Sequence, residues 1–150
     1  LFQNTVLVIN RRDYSQAEVE DWASCGNNLS NIKERIETHY FVVAVNQQSQ
    51  IVGFSSITPQ GYLHSMFVHK DFQGEGIATM LLEEIERYAI TAGITRITSE
   101  VSLTARPFFE KKGYIVKEEQ KRKANQLSLT NFLMAKEVAF LEYYNKKVTD

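Results

Sequence analysis

A short loop with two glycines joins an apolar, β-prone run to an amphipathic segment in the middle of the chain. The run Met66–Val68 precedes Gly74-Glu75-Gly76, and apolar residues then recur at helical spacing. Glycine lets the backbone approach a ligand closely because it carries no Cβ atom. The first N–H groups of the new helix would point at that ligand, and the helix dipole favours a negative charge there. The sequence therefore predicts a loop that binds a phosphate-bearing ligand through main-chain amides.

Other glycine loops fit this segment poorly. The phosphate loop of nucleotide enzymes requires a Lys-Ser or Lys-Thr pair after the glycines, and none follows here. The dinucleotide-binding pattern has a third glycine, and Thr79 stands where it would fall. An ATP- or NAD-binding enzyme stays open as a weak alternative, as does a strand-to-helix turn that binds nothing.

Hydrophobic periodicity divides the chain into helical and extended segments. Three short helices are expected first, at residues 1–9, 15–24 and 29–38. The third would carry three apolar residues on one side, at Leu29, Ile32 and Ile36. Apolar, β-branched runs predict six strands, at residues 41–45, 51–57, 62–68, 94–101, 114–120 and 127–136.

Two further helices are expected after the glycine loop. The first has an apolar face formed by Ile77, Leu81, Ile85 and Tyr88. It would end at Gly93, and a second helix would be capped by Thr104, with Pro107 in its first turn. This order predicts the α/β (α+β) class, with a mixed, mostly antiparallel twisted sheet and helices on both faces. We expect a single domain over residues 1–150, with 137–150 as a tail that begins as a helix over 137–147.

Composition argues against several classes of protein. With 150 residues and 43% hydrophobic side chains, the chain is long enough for one domain with a sizeable core. Its 17 Lys and Arg residues nearly balance 18 Asp and Glu residues, so no overall field favours nucleic acid or an anionic membrane. No membrane span or signal-peptide pattern is found. The single cysteine, Cys25, is expected to be a partly buried structural thiol of a cytoplasmic protein.

The residues around the glycine loop resemble the signature of a known family. Gln73-x-x-Gly76-x-Ala78 satisfies every specified position of the acetyl-CoA-binding pattern of the GNAT N-acetyltransferase superfamily. Ser102–Tyr114 is similar to the family's second cofactor-side helix with the start of the following strand, and Asn131–Lys136 is similar to its closing strand. The resemblance covers nearly the whole chain, and it implies the GNAT fold.

The resemblance also implies a departure at the N-terminus. The chain opens with Leu1, and its first residues are similar to the end of the family's first helix. The family's first strand then has no counterpart in this sequence. A strand that would pair with it is expected to lie at the edge of the sheet and to need cover.

The resemblance implies acetyl-CoA as co-substrate and no metal. Its pyrophosphate would lie against the N–H groups of Gly74, Glu75, Gly76, Ile77, Ala78 and Thr79. Gln73 would stand at the entrance of the loop, and the pantetheine arm would run along the backbone of Phe67 and Val68 as an added strand does. Phe109 would pack against that arm, while Lys112 would either approach the phosphates or remain solvated.

Acetyl transfer to an amine needs a group that removes the amine proton and stabilisation of the departing thiolate. Tyr62 and His64 lie two residues apart on one expected strand, so they face the same way. Some family members carry a histidine at the position of His64, which implies a base titrating near about pH 6.5; a histidine packed on a half-buried strand is the alternative. Many members have tyrosine at the position of Phe109. Tyr114, Tyr62 or water would then donate the proton, or the thiolate would leave unassisted.

The implied function is an N-acetyltransferase that moves an acetyl group from acetyl-CoA to a primary amine of a small molecule or peptide. The amine would attack directly in a ternary complex. A non-catalytic acyl-CoA-binding or regulatory module is the alternative, because Phe109 cannot donate a proton. A homodimer is left open.

The family builds its acceptor pocket from the first two helices, their connection and the last hairpin. These regions contain three candidate segments, at Asn10–Tyr14, Trp22 and Lys121–Asn125. Arg11 and Arg12 would bind an acidic group on the acceptor or form a solvated helix junction. Trp22 is expected in the core, and Lys121–Lys123 is expected in a basic turn.

Overall fold

Six strands form one sheet in the computed structural model, which describes residues 1–138 of the chain. In chain order they are β1 (Tyr40–Val45), β2 (Ile51–Ile57), β3 (Tyr62–Val68), β4 (Arg96–Ser102), β5 (Ile115–Lys123) and β6 (Ser128–Glu137). Across the sheet the order is β1-β2-β3-β4-β6-β5, and every junction is antiparallel except the parallel pair β3-β4. The predicted mixed, mostly antiparallel sheet is confirmed.

The described part of the chain also contains five α-helices. They are α1 (Phe2–Val8), α2 (Gln16–Ser24), α3 (Leu29–Thr38), α4 (Ile77–Thr91) and α5 (Arg106–Lys111). A capping box starts α2: the Ser15 hydroxyl accepts the Glu18 N–H at 3.1 Å, and the Glu18 carboxylate accepts the Ser15 N–H at 2.9 Å. None of these helices is long and apolar enough to cross a membrane.

Alternation along β3 distributes its side chains between the helices on the two faces of the sheet. Met66 and Val68 pack in the apolar cluster that contains Leu81 of α4. Phe67 instead packs in the cluster that contains Val6 of α1, together with Trp22 of α2. Because neighbouring strand residues point to opposite faces, helices cover both faces of the sheet, as predicted.

The buried face of α4 forms the centre of the core. Its buried residues are Leu81, Leu82, Ile85 and Ala89. The predicted face also included Tyr88, which is partly buried and stacks on Tyr40 of β1 with ring centroids 4.1 Å apart. The helix ends at Thr91, and Gly93 follows with φ +79. By contrast, α3 has no buried residue, and Leu29 on its predicted apolar side is 75% exposed.

The predicted cap of the last described helix is wrong. The first residue before α5 is Ala105, and no side chain caps it there. The Ser102 hydroxyl accepts the Ala105 N–H at 3.1 Å, whereas the Thr104 hydroxyl is buried without a hydrogen-bond partner among residues 1–138. Pro107 lies in the first turn of α5 as expected.

Three further expectations are corrected by the structure. Lys121–Lys123 belongs to β5 and not to a turn, because its pairing with β6 continues to Ser128. Glu137 ends β6 instead of starting a helix, and residues 139–147 of that predicted helix lie outside the described residues. Cys25 is exposed, so it is not a buried structural thiol.

Candidate active site

The glycine loop ends at the first turn of α4 and has open space in front of it. Gly74 and Gly76 have φ of +75 and +81, a conformation that favours glycine, and Gly76 is the N-cap of α4. A Cβ atom added at either glycine would meet no atom within 4 Å. The first backbone bond of the helix runs from the Met80 N–H to the Gly76 carbonyl at 3.1 Å. The N–H groups of Ile77, Ala78 and Thr79 precede that bond, so they remain available to an acceptor from outside the helix.

The entrance of the loop is tied to the end of β3. The Gln73 side-chain amide donates to the Val68 carbonyl at 2.8 Å, and the Thr5 hydroxyl of α1 donates to the same carbonyl at 2.9 Å. His69 lies between Val68 and Gln73 in the chain. Its Nδ1 atom accepts the Asp71 N–H at 3.1 Å, and this bond supports the 3₁₀ turn Lys70–Phe72. The loop is therefore positioned by both flanking segments.

The pairing of β3 with β4 is limited to the start of β3. Only Tyr62↔Thr98 and Leu63↔Ser99 are in register as partners, and the Ser99 hydroxyl donates to the Leu63 carbonyl at 2.8 Å. The rest of β3 continues to Val68 without β4 as a partner. A gap therefore opens between the two parallel strands and leads toward the glycine loop.

Backbone groups of β3 point into this gap. The His69 N–H donates to β2 at 2.8 Å, and hydrogen-bonded pairs alternate along an antiparallel ladder, so Phe67 is bonded to Phe54 of β2. The N–H and C=O groups of Met66 and Val68 then point away from β2. The N–H and C=O groups of Phe67 are therefore bonded to β2, whereas those of Met66 face the gap.

A β-bulge at His64 changes which residues of β3 face each side. Ser65 pairs with Ser56 of β2, whereas the next pair joins Leu63 to Ile57, so His64 is an extra residue in the strand. The Ser56 and Ser65 hydroxyl oxygens lie 2.8 Å apart and hold the bulge together. The bulge directs the His64 ring away from α4.

Three aromatic side chains meet at the bulge. The centroid of the His64 ring lies 5.9 Å from that of Tyr62 and 5.5 Å from that of His39. The two residues predicted to share a strand face, Tyr62 and His64, are therefore adjacent. The Nδ1 atoms of His39 and His64 are shielded from solvent and have no hydrogen-bond partner in the described part of the chain.

A cavity of about 330 Å³ lies beside His64. Its walls are formed by Asn31, Glu34, Arg35, Thr38, His39 and His64. Five of these residues come from α3 or directly follow it. This volume is at the lower end of the range for small-molecule sites, and the lining is polar. Strand β3 borders both this cavity and the gap between β3 and β4.

Burial controls the protonation of the two aromatic groups at the bulge. Burial lowers the pKa of His64, and the nearby Arg35 guanidinium and His39 lower it further, to about 4. The expected titration near about pH 6.5 is thus wrong, and His64 is neutral at pH 7. Burial and the Glu100 carboxylate raise the pKa of Tyr62 to about 12, so its phenol stays protonated.

Tyr114 and Phe109 lie in the core between α4 and α5. Tyr114 is 2% exposed, and its hydroxyl donates to the Glu86 carboxylate of α4 at 2.9 Å. Lys136 donates to the same carboxylate at 3.0 Å. Burial raises the pKa of Tyr114 well above its usual range, and the negative charge of Glu86 raises it further. Phe109 is 4% exposed and packs edge-on against Tyr114, with ring centroids 5.1 Å apart.

Lys112 lines a cavity on the side of α4, together with Thr79 and the acidic residues Glu83 and Glu86. This second cavity, of about 240 Å³, is bordered by Thr79 of the helix start and by Lys111 and Lys112 at the end of α5. The Lys112 ammonium also lies 5.7 Å from the centroid of the Phe108 ring. Lys112 and Thr79 therefore border one cavity, which Lys111 also borders; Lys111 was not selected from the sequence.

The predicted acceptor segments have mainly structural contacts. Arg11 donates to the Gln16 side chain at 3.1 Å and to the Tyr14 carbonyl at 3.2 Å, so it joins two helical segments. Trp22 is partly buried and packs edge-on against Tyr14, with centroids 5.7 Å apart.

In the turn between β5 and β6, the N–H groups of Asn125 and Leu127 donate to the Asp21 carboxylate at 2.9 and 3.0 Å.

The sequence alone did not indicate the contribution of α3 to the site or the role of Asp21. No local motif marks Asn31, Arg35 or Thr38, because their common surface exists only when α3 lies against the start of β1 and the bulge. The available signal was Arg35 in the last turn of a predicted helix, four positions before His39. Asp21 had no signal in sequence, because its partners lie more than a hundred positions further along the chain.

Comparison with known proteins identifies the family of this chain. The family model of the acetyltransferase (GNAT) domain matches residues 10–137. The chain therefore belongs to the GNAT acetyltransferase family. It is similar to YafP of Escherichia coli (strain K12), described as an uncharacterized N-acetyltransferase, with 27% identity over 135 residues, or 89% of this chain and 83% of YafP.

Solved structures share the fold. A GCN5-related N-acetyltransferase from Rhodopseudomonas palustris superposes with a TM-score of 0.87 and 28% identity, covering 91% of this chain and 85% of that chain. PaiA N-acetyltransferase from Thermoplasma acidophilum, solved in complex with coenzyme A, superposes with a TM-score of 0.74 over 91% of this chain and 87% of that chain. Its identity is 18%, so this second similarity concerns the fold alone.

Proposed function

We propose that this protein is an N-acetyltransferase that transfers the acetyl group of acetyl-CoA to a primary amine by direct attack in a ternary complex. The observation that carries the proposal is the gap between β3 and β4. It has an open glycine loop at one end and the neutral imidazole of His64 beside a cavity at the other. One site for a phosphate-bearing thioester and one for an amine then meet on a single strand.

The loop and β3 hold the cofactor by backbone groups. The pyrophosphate accepts hydrogen bonds from the N–H groups that precede the first bond of α4, where the helix dipole adds to the attraction. The pantetheine amides pair with the N–H and C=O groups of Met66 and with the N–H of Val68, which point away from β2. The Val68 carbonyl does not take part, because it already accepts hydrogen bonds from Gln73 and Thr5. Lys112, which borders the same cavity as Thr79, approaches the phosphates. The reacting thioester then lies in the gap near His64.

The acceptor reacts as a neutral amine. Its nitrogen attacks the thioester carbonyl carbon, and the C–S bond breaks after the N–C bond has formed. A proton leaves the nitrogen for His64, directly or through one water. With a pKa of about 4, His64 keeps its lone pair free at neutral pH. A weak base suffices because the nitrogen becomes strongly acidic once it is bonded to the carbonyl carbon.

Tyr62 stabilises charge without giving up its proton. Its pKa of about 12 lies above that of an ordinary thiol, about 8.5, so proton transfer from Tyr62 to the departing thiolate is unfavourable. A hydrogen bond from the phenol to the developing negative charge remains favourable. The same argument applies more strongly to Tyr114, whose hydroxyl is already engaged by Glu86. The thiolate therefore leaves with its electron pair and takes its proton from water.

The experiment that tests the proposal measures free thiol released from acetyl-CoA in the presence of amines. His64→Ala should lower kcat by roughly 100-fold, the scale of a lost general base, without changing the dissociation constant of acetyl-CoA. Because the pKa of His64 in the folded protein lies near 4, the ratio of the two rates should stay constant between about pH 6 and pH 9. His64→Gln, which keeps a polar side chain in the cavity, separates loss of the base from loss of packing. Undiminished turnover in both variants would remove His64 from the mechanism.

A non-catalytic acyl-CoA-binding module is the second candidate. The observation that favours it is Phe109, buried where many family members carry a tyrosine. Such a module would bind acetyl-CoA with the same loop but release no thiol with any amine. The same assay therefore separates the two candidates.

A further inference from the structure

The cavity beside His64 is lined by Arg35, whose guanidinium forms no ion pair within the described residues 1–138. Arg106 and Arg122 hold carboxylates at 2.9 and 3.1 Å, but no carboxylate of residues 1–138 lies within 4.0 Å of Arg35. Arg35 is half-buried at the end of α3 and lines the cavity together with His39 and His64. A half-buried guanidinium that pairs with no carboxylate in the described part of the chain is a site for an external carboxylate, which it can bind through two parallel hydrogen bonds.

The positive charge of Arg35 affects both histidines that line the cavity. Burial lowers the pKa of both His39 and His64, and the Arg35 guanidinium lowers both further. The two imidazoles are therefore neutral at pH 7 and do not compete with Arg35 for an anion. A single acidic side chain, Glu34, also lines the cavity. The cavity thus carries one positive and one negative group, which does not suit a ligand with several positive charges.

We propose that the acceptor is a small amine that also carries a carboxylate, and that Arg35 binds this carboxylate so that the amine lies at His64; this inference rests on the proposed acetyl transfer. The cavity of about 330 Å³ has room for an amino acid. Glu34 attracts the ammonium form as it enters. Near His64, the field of Arg35 favours loss of the ammonium proton, because a cation destabilises a neighbouring positive charge.

The inference makes Arg35 a specificity-determining residue for the acceptor and not for the cofactor. The phosphate loop lies at the opposite end of β3, and none of its residues lines this cavity. Loss of Arg35 should therefore change which amines react while the affinity for acetyl-CoA stays the same. Polyamines and aminoglycosides, which lack a carboxylate, should be poor acceptors.

The test compares matched amines in the thiol-release assay on the whole chain. The panel pairs the common α-amino acids, β-alanine and 4-aminobutyrate with their primary amides, and it adds spermidine and kanamycin. Rates are compared at equal concentrations of neutral amine, because an amide lowers the pKa of its own amino group. In the unchanged protein, kcat/KM should favour at least one carboxylate over its amide by roughly 10- to 100-fold, the scale of a hydrogen-bonded charge pair.

Variants on α3 show whether Arg35 causes the preference. Arg35→Gln should abolish it through KM while the dissociation constant of acetyl-CoA is unchanged, and Arg35→Lys should retain part of it. Lys33→Gln removes an exposed charge from the same helix, outside the cavity, and should leave the preference intact. A preference that survives in Arg35→Gln would overturn the inference.

The remaining outcomes separate this inference from the proposed function. Turnover of amides, spermidine or kanamycin in preference to the carboxylates would overturn the inference and leave acetyl transfer standing. Binding of acetyl-CoA without turnover of any member of the panel would also overturn it, because the panel covers carboxylates one to three carbons from the amine. Failure to bind acetyl-CoA would overturn the proposed function and this inference together.

Discussion

The two ends of β3 are built in different ways. At Val68 the strand leads into a loop whose proposed binding groups are backbone N–H groups of consecutive residues from Gly74 to Thr79. At His64 the site is made of side chains from β3, the segment before β1 and α3. A backbone site depends on local conformation, and a side-chain site depends on tertiary packing. The first tolerates changes of side chain, whereas the second can change its ligand with single substitutions.

A substitution at Gly76 tests the backbone end and has the largest expected effect. Gly76→Val should weaken acetyl-CoA binding by roughly 100-fold, because its side chain would fill the open space in front of the loop and strain the left-handed backbone. Calorimetric titration measures the change in affinity.

Gly93→Val is the matched control. Gly93 lies just beyond the other end of α4, has φ +79, and also has no atom within 4 Å of an added Cβ. Both variants should lose about 1–2 kcal/mol of unfolding free energy from the same backbone strain, measured by denaturant unfolding. Equal affinities of the two variants for acetyl-CoA would contradict the assignment of the loop.

A pair of tyrosines tests the side-chain end with a smaller effect. Tyr62→Phe should lower kcat by roughly 10-fold through loss of a hydrogen bond to developing charge. Tyr114→Phe should leave kcat within about twofold and lower the free energy of unfolding by about 1–2 kcal/mol, because it removes the hydrogen bond to Glu86. Steady-state kinetics and denaturant unfolding of both variants make the comparison. A larger loss of kcat in Tyr114→Phe than in Tyr62→Phe would reverse the roles given to the two phenols.

The contrast between the two ends also explains what could be predicted from sequence. The loop was predictable because strand, glycines and helix are contiguous, and each has a local signal. The strands were predicted within a few residues because apolar, β-branched runs mark them. Lys121–Lys123 was misassigned because charged residues on an exposed edge strand have no apolar pattern. A short run of charged residues without an apolar pattern predicts a turn.

The protonation of His64 could not be predicted from sequence. Its pKa depends on burial and on the neighbouring Arg35, which is 29 positions earlier in the chain. The bulge that aims the ring depends on a one-residue offset between β2 and β3, which the serines at that point stabilise. The side-chain cavity therefore required the structure, whereas the glycine loop did not.

Calorimetric titration of the purified chain with acetyl-CoA tests the central claim most directly, with CoA, ATP and NAD titrated in parallel. The account predicts saturable binding of acetyl-CoA and CoA, and far weaker binding of ATP and NAD, because the loop and the backbone groups of β3 together fit a diphosphate joined to a pantetheine arm. Folding of the sample is checked by circular dichroism. A folded protein that binds no acetyl-CoA, or that binds ATP or NAD as tightly, would contradict the account.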